Sequence, residues 1–256
     1  PRFAGYSGVM VNVSDIYAMG GRPTAVVDAI WSAGMQHADQ MLAGMADAAA
    51  RYGVPIVGGH SNQRSLRPQL AVAILGRARK LLTSFSARPG DALVMAVDLR
   101  GAYHDPFPFW DASSPAPGAR LRGDLEVLPA LAEAGLCDAA KDISMAGAIG
   151  TALMLLECSQ VGATIDLDAI PRPDGAPLLR WLSAFPSFGF ILSVRPGQVG
   201  QVLTRFAARD IACRVIGEVD DSRTLTLRQG GERELLWDLG RDTFIREAAP
   251  AQVLHA

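Results

Sequence analysis

The chain has 256 residues, enough for one large domain or two smaller ones. With 49% hydrophobic and 20% charged residues it has a globular balance, far from that of a disordered chain. Its formal net charge of -2 and the lack of a Lys/Arg run argue against a nucleic-acid binder, which would carry a basic footprint. Arg supplies nearly all the positive charge; Arg suits bidentate contact with phosphate, although a GC-rich genome's codon bias explains the preference more simply. Cys137, Cys158 and Cys213 are far apart, odd in number and without CxxC spacing. Neither a disulfide framework nor a zinc site is expected, and a cytoplasmic setting fits. The longest apolar run, Met145 to Leu156, falls short of the ~20 residues that span a bilayer, so no membrane segment is expected. No signal peptide is visible, and the chain opens at Pro1 inside what reads as an element, so it is read as a fragment.

In chain order, Gly8 to Gly20 reads as a helix: Val9, Val13 and Ile16 form one apolar stripe, while Asn12, Asp15 and Met19 occupy another face. Gly20-Gly21 and Pro23 end it. Thr24 to Trp31 reads as a strand, and Met35 to Tyr52 as an Ala-rich helix stopped at Gly53. Pro55 to Val57 reads as a short buried strand running into a loop at Gly58-Gly59-His60-Ser61-Asn62. Gln69 to Ala78 is a further strand. Arg88-Pro89-Gly90-Asp91 is a turn and the expected domain boundary, giving domains 1–87 and 88–245.

A strand follows at Ala92 to Leu99. The Pro- and aromatic-rich stretch from His104 to Gly118 reads as a long loop, either a lid or binding segment or a connector whose aromatics pack on the core. Helices are predicted over Gly123 to Ala134, Ser144 to Ser159, Pro177 to Ala184 and Gly197 to Ala208. Strands are predicted over Ala163 to Leu167, Phe188 to Val194, Ile211 to Val219 and Thr224 to Leu227. This alternation predicts an α/β or α+β layer architecture.

Three polar clusters stand where an apolar element meets a Gly-containing turn. Asn12 and Asp15, one helical turn apart, offer two oxygen ligands to a hard cation such as Mg2+, or simply a solvated helix face. Gly58 and Gly59 after a strand allow close backbone approach to a phosphate, with His60 and Asn62 at hand, or simply make a turn. Asp142 and Ser144 at a helix start could cap the helix or help to bind an anion.

The order of these clusters is more specific than any one of them. Asn12 to Pro23 resembles the N-x-S-D-x-x-A-M-G-x-x-P signature of thiamine-monophosphate kinases and selenophosphate synthetases. Gly58 to Ser61 resembles the Gly-Gly-His-Ser/Thr loop of the synthetases, where the kinases have Gly-Gly-Asp-Thr. Gln69 to Gly76 is similar to the strand that follows in both. Lys141 to Gly147 is similar to the Asp-x-Ser/Thr-x-Gly segment that opens the second half of these enzymes, and Val161 to Pro171 resembles the kinase segment that follows it. The chain is thus similar to the aminoimidazole-ribonucleotide (AIR) synthetase-like, or PurM-like, superfamily over most of residues 5 to 220.

That resemblance implies two α/β domains, the first pairing across a homodimer through a shared β-barrel, with ATP and Mg2+ in a cleft between domains. It implies Asp15 and Asp142 as metal ligands, and Asn12, Asp15, Gly58, Gly59, His60 and Asn62 near the nucleotide. Asp142 and His60 would be the catalytic side chains. The reaction would be ATP- and Mg2+-dependent phosphoryl transfer to an oxygen of a small metabolite. The chain also departs from the pattern. The Gly-Asp-Asp segment and the Asp-containing strand after it are expected before Pro1, the Cys and Lys typical of the synthetase N-terminus are not found, and Met145 stands where the kinases have a second Asp. These departures point to a separate AIR-synthase-related branch marked by its Phe-Pro-Phe-Trp-Asp loop. Alternatives are a non-catalytic nucleotide-binding homologue acting as an assembly or regulatory partner, and a metabolite-binding module using the aromatic loop as a clamp.

Overall fold

The fold is taken from a computed structural model that describes residues 1–245. The chain opens with helix α1 (Arg2–Ala18), which begins earlier than the apolar stripe alone predicts. Its buried positions, Tyr6, Val9, Met10, Val13, Ile16 and Tyr17, recur at helical spacing and face strand β1 (Arg22–Ala33) and helix α2 (Met35–Tyr52). Each of the Val, Met and Ile side chains among them stabilises the fold by about 1.5–3 kcal/mol when removed from water. Strands β2 (Ile56–Asn62) and β3 (Arg64–Arg77) flank β1, β2 running parallel to it and β3 antiparallel.

Strand β2 runs further than the sequence predicts. Gly58 to Asn62, expected as a loop, is strand, with Val27 opposite Gly58 and Trp31 opposite Asn62. Tertiary pairing with β1 overrides the turn preference of the two glycines. One face of this three-stranded sheet carries Val26, Ile30, Leu70, Val72 and Ile74 into the core beneath α1 and α2. The other face is open, and Val27 and Leu75 are exposed on it.

A seven-stranded sheet forms the second layer, in the order β13-β12-β8-β11-β4-β10-β7. Its strands are β4 (Ala92–Val97), β7 (Ala139–Asp142), β8 (Gly162–Asp166), β10 (Gly189–Val194), β11 (Ala212–Asp220), β12 (Thr224–Gln229) and β13 (Glu232–Asp238). Strand β13, absent from the sequence reading, extends the sheet beyond β12. Helices α3 (Gly118–Leu125), α4 (Val127–Glu133) and α7 (Val199–Ala207) join α1 and α2 in one core against one side of this sheet, while α5 (Gly147–Ser159) and α6 (Leu178–Leu182) pack in a second core on the other. The architecture is the mixed α/β fold that the residues predict.

The region expected as one helix over 123–134 is instead α3 and α4, with Glu126 between them. The long aromatic stretch is pinned down by a small sheet of β5 (Ala102–Tyr103), β6 (Phe109–Asp111) and β9 (Phe185–Pro186). Phe109 and Trp110 are buried, and the Trp110 indole donates to Asp98 O at 3.0 Å. These two aromatics therefore pack as a connector, and Phe107 is left exposed. No helix among the described residues is long and apolar enough to cross a membrane.

The first two helices touch backbone to backbone. A Cβ added at Gly44 would fall 1.8 Å from Arg2 O, and one at Gly5 would fall 2.0 Å from Met41 O. Gly44→Ala must push α1 away from α2, at a cost of about 1–3 kcal/mol. Calorimetry should show its melting temperature lowered by about 2–4 °C for each kcal/mol. Gly200→Ala, on α7 where an added Cβ meets nothing within 4 Å, should be neutral or raise it.

Candidate functional site

Asp15 lies in the last turn of α1, on the stripe not used for packing. Asp142 is the last residue of β7, an edge strand that pairs only with β10, where Phe190 lies opposite Asp142 and Ile143 N donates to Gly189 O at 2.8 Å. Because α1 packs across β7, the two carboxyl groups come within hydrogen-bonding reach of each other. Two carboxylates share a hydrogen bond only if one of them holds the proton. The Asp15 carboxyl is accordingly pushed up to about 6, first by desolvation from the surrounding protein, then by the charge of Asp142 and the hydrogen bond to it. The Lys141 ammonium, 3.8 Å from Asp142 Oδ1, pulls the other way.

A like-charged pair of this kind is a place where a divalent cation would replace the shared proton. Among the described residues no group of three or more His, Cys, Asp or Glu side chains converges to hold a metal. Two carboxylates alone suit Mg2+, which keeps several waters and is completed by phosphate oxygens.

The helix cap expected from Asp142 and Ser144 does not form. Helix α5 starts at Gly147 with no side-chain cap, five residues after Asp142, so Asp142 belongs to the strand end rather than to the helix start. Its carboxylate is free of capping duty and turned to Asp15.

The other predicted site residues lie elsewhere. Asn12 turns its amide onto its own helix, donating to Gly8 O at 2.8 Å. Gly58, Gly59, His60 and Asn62 all lie on exposed β2. Register puts His60 beside Ala29 and Asn62 beside Trp31, on the open face of the sheet, opposite to the face that α1 covers. Asn62 Oδ1 accepts from Arg64 N at 2.9 Å and so shapes the turn into β3. Within one chain the structure thus brings Asp15 and Asp142 together and leaves His60 and Asn62 across the sheet from them.

Two residues were not given a role by the sequence reading. Lys141 is the cation nearest the pair. Asp28 lies on β1 opposite Gly59, and a Cβ at Gly59 would come 2.5 Å from Asp28 Oδ2. Gly59 is therefore needed to admit that carboxylate, whose pKa burial raises. The signal was available: Asp28 is the one charge inside the apolar run Ala25 to Ile30.

Residues 1–78 match the family described as AIR synthase related protein, N-terminal domain, and residues 109–229 match its C-terminal domain. The chain is 52% identical over 240 residues to an uncharacterised protein of Synechocystis sp., covering 93% of this chain and 74% of that one. It is 33% identical over 243 residues to an uncharacterised protein of Methanocaldococcus jannaschii, covering 94% and 75%. Similarity extends to the selenide, water dikinase of Myxococcus xanthus, at 29% over 178 residues, covering 65% of this chain and 50% of that one. Among solved structures, T. maritima PurL complexed with ATP shares the fold, with a TM-score of 0.76 and 22% identity. That match covers 92% of this chain, which spans 40% of the PurL chain.

The raised Asp15 carboxyl carries a signed consequence. Its folded pKa of about 6 exceeds the ordinary 3.8, so the native state binds the proton more tightly than the unfolded chain does. Asp15 then withdraws stability as pH rises from 3.8 to about 6, and the loss is constant above that. Denaturation of the wild type and of Asp15→Asn across this range should show the variant gaining relative stability with rising pH. In Asp142→Asn, the Asp15 carboxyl signal followed by NMR should titrate below the wild-type midpoint.

Proposed function

The chain belongs to the AIR-synthase-related family, and on that footing we propose that it is an ATP- and Mg2+-dependent enzyme transferring a phosphoryl group to an oxygen of a small metabolite. The observation that carries the reading is the contact between Asp15, from the segment matching the N-terminal domain, and Asp142, from the segment matching the C-terminal one. Their meeting gives two hard oxygen donors at the junction of the two layers, where a nucleotide's phosphates could complete a metal's shell. The ATP complex of PurL, which has the same fold, supports nucleotide as the partner.

In this reading Asp15 and Asp142 hold Mg2+. When bound, the ion would neutralise phosphate charge and orient the transferred group for in-line attack. Lys141 supplies a further positive charge beside Asp142. Asp142 is assigned to catalysis within one chain, and His60, on the open face of the three-stranded sheet, is assigned to it only in a site that a second copy completes. The assignment of Gly58, Gly59 and Asn62 to the nucleotide likewise requires a second copy to bring β2 to the carboxylates, and that of Asn12 requires its amide to leave Gly8 O. We place the boundary between the two units at 87–88 and the protein in the cytoplasm, in keeping with its three free cysteines.

A homodimer is part of the proposal. The open face of the three-stranded sheet exposes Val27 and Leu75, with Ala73 opposite Val27 and the Ala29–Ala71 pair next along it. A second copy laid on this face would remove that apolar surface from water. A second functional reading rests on Met145, 83% exposed and unable to serve as a hard-cation ligand where the related kinases have Asp. That reading is a non-catalytic homologue that binds nucleotide and assists another protein.

Calorimetric titration of a non-hydrolysable ATP analogue should give Mg2+-dependent binding. Asp15→Asn and Asp142→Asn should each weaken it about tenfold or more, ~1.4 kcal/mol per decade. Unchanged binding in both variants rejects the assigned site. ATP turnover with an acceptor metabolite selects the enzyme, while binding without turnover against a broad acceptor set selects the non-catalytic homologue. By analytical ultracentrifugation the wild type should sediment as a dimer, and Val27→Glu with Leu75→Glu as a folded monomer.

A further inference from the structure

The corner where α1 gives way to β1 holds more positive charge than its own carboxylates neutralise. Arg22 on β1 lies directly opposite Arg77 on β3. Like charges in that position repel and destabilise a strand pair. Arg22 is answered from across the structure: its guanidinium donates to Glu126, with Nε 2.9 Å from Oε1, and Nη1 lies 2.6 Å from Glu133 Oε1. Lys80 is answered by Asp138 at 3.4 Å. Arg77 and Arg79 have no carboxylate within 4.0 Å among the described residues. Glu133, taken up by Arg22, feels Arg79 only at longer range.

These unanswered guanidinium groups line a concavity of about 600 Å3, together with Arg22, Thr24, Ala78 and Glu133. That volume is in the range of small-molecule sites. A pair of arginines with no internal acceptor is suited to the bidentate geometry of a phosphate group. Glu126 and Glu133 neutralise Arg22, which lines the hollow together with Glu133, and leave Arg77 and Arg79 as its unanswered cations. The Thr24 hydroxyl is already used, donating to Leu75 O at 3.1 Å.

The corner is separate from the carboxylate pair. Tyr17 is two residues beyond Asp15, so it lies about 200° further round the helix. Tyr17 is the α1 side chain that feels Glu126 and Arg22, whereas Asp15 faces Asp142. Helix α1 therefore stands between the two places.

We propose that this corner binds a phosphate-bearing small molecule through Arg77 and Arg79, at a second site across α1 from Asp15 and Asp142. The test is calorimetric titration of the full chain in excess EDTA with inorganic phosphate, pyrophosphate and ADP. Binding of at least one probe is expected. Arg77→Gln and Arg79→Gln should each weaken it about tenfold or more, and Asp142→Asn should leave it unchanged. Tighter binding of ADP than of pyrophosphate would assign a nucleotide, and equal binding would assign the phosphate group alone; either result upholds the site. No binding of any probe overturns the proposal. So does binding that survives both arginine substitutions, or binding that Asp142→Asn abolishes. Arg79 lies outside the strand pairs, so Arg79→Gln decides the matter if Arg77→Gln disturbs the sheet.

Discussion

The close approach of α1 and α2 is the constraint from which the remaining geometry follows. Gly5 and Gly44 let the two helix backbones touch, with no room for a Cβ on either side. This contact fixes the axis of α1, and α1 in turn is packed by the three-stranded sheet, by α4 and by β7. A helix held on so many sides cannot slide by a residue without moving its whole buried stripe, and interiors at crystal-like density resist that. The position of Asp15 is therefore a consequence of packing at the far end of the same helix.

A second constraint ties the middle of the chain to this frame. Asp98 and Asp124 are each only 2% exposed. Unpaired carboxylates at that depth would cost several kcal/mol each. Arg100 reaches both, at 2.8 Å and 3.0 Å, Arg120 adds a contact to Asp98 at 3.2 Å, and Arg209 reaches Asp124 at 2.8 Å. The cluster links the end of β4, helix α3 and the turn after α7. It also holds the aromatic stretch, because Arg120 donates to Ala112 O at 2.7 Å and Trp110 donates to the Asp98 backbone. The abundance of Arg, which codon bias alone could explain, finds a structural use here that short-range Lys pairs could not easily reproduce: one planar fork serves two carboxylates at once.

Against that rigid background the Asp15–Asp142 pair stands out as an interaction the fold imposes and does not relieve. Charge repulsion and desolvation both disfavour it, and Lys141 offsets only part of the effect. Local conflict held in place by an otherwise consistent structure is characteristic of functional sites. The arginine corner on the other side of α1 has the same character with the opposite sign, since Arg22 and Arg77 are set opposite each other by the strand register.

The sequence by itself determined the layer architecture, the ends of α2 and most of the strands of the larger sheet, because apolar periodicity and glycine stops are local signals. It also picked out Asp15 and Asp142, through the order of motifs around them. It misread Gly58 to Asn62, because strand formation there depends on pairing with β1, a partner distant in sequence. It placed Asp142 at a helix start, because Asp and Ser before a small-residue helix look like caps until the sheet claims Asp142 for β7. It passed over Asp28, whose partner Gly59 becomes its neighbour only through strand register. Which carboxylates touch, which face of a strand His60 occupies and which arginines are left unanswered are all matters of register and helix placement. Contacts between residues far apart in sequence fix those, so only the tertiary structure could decide them.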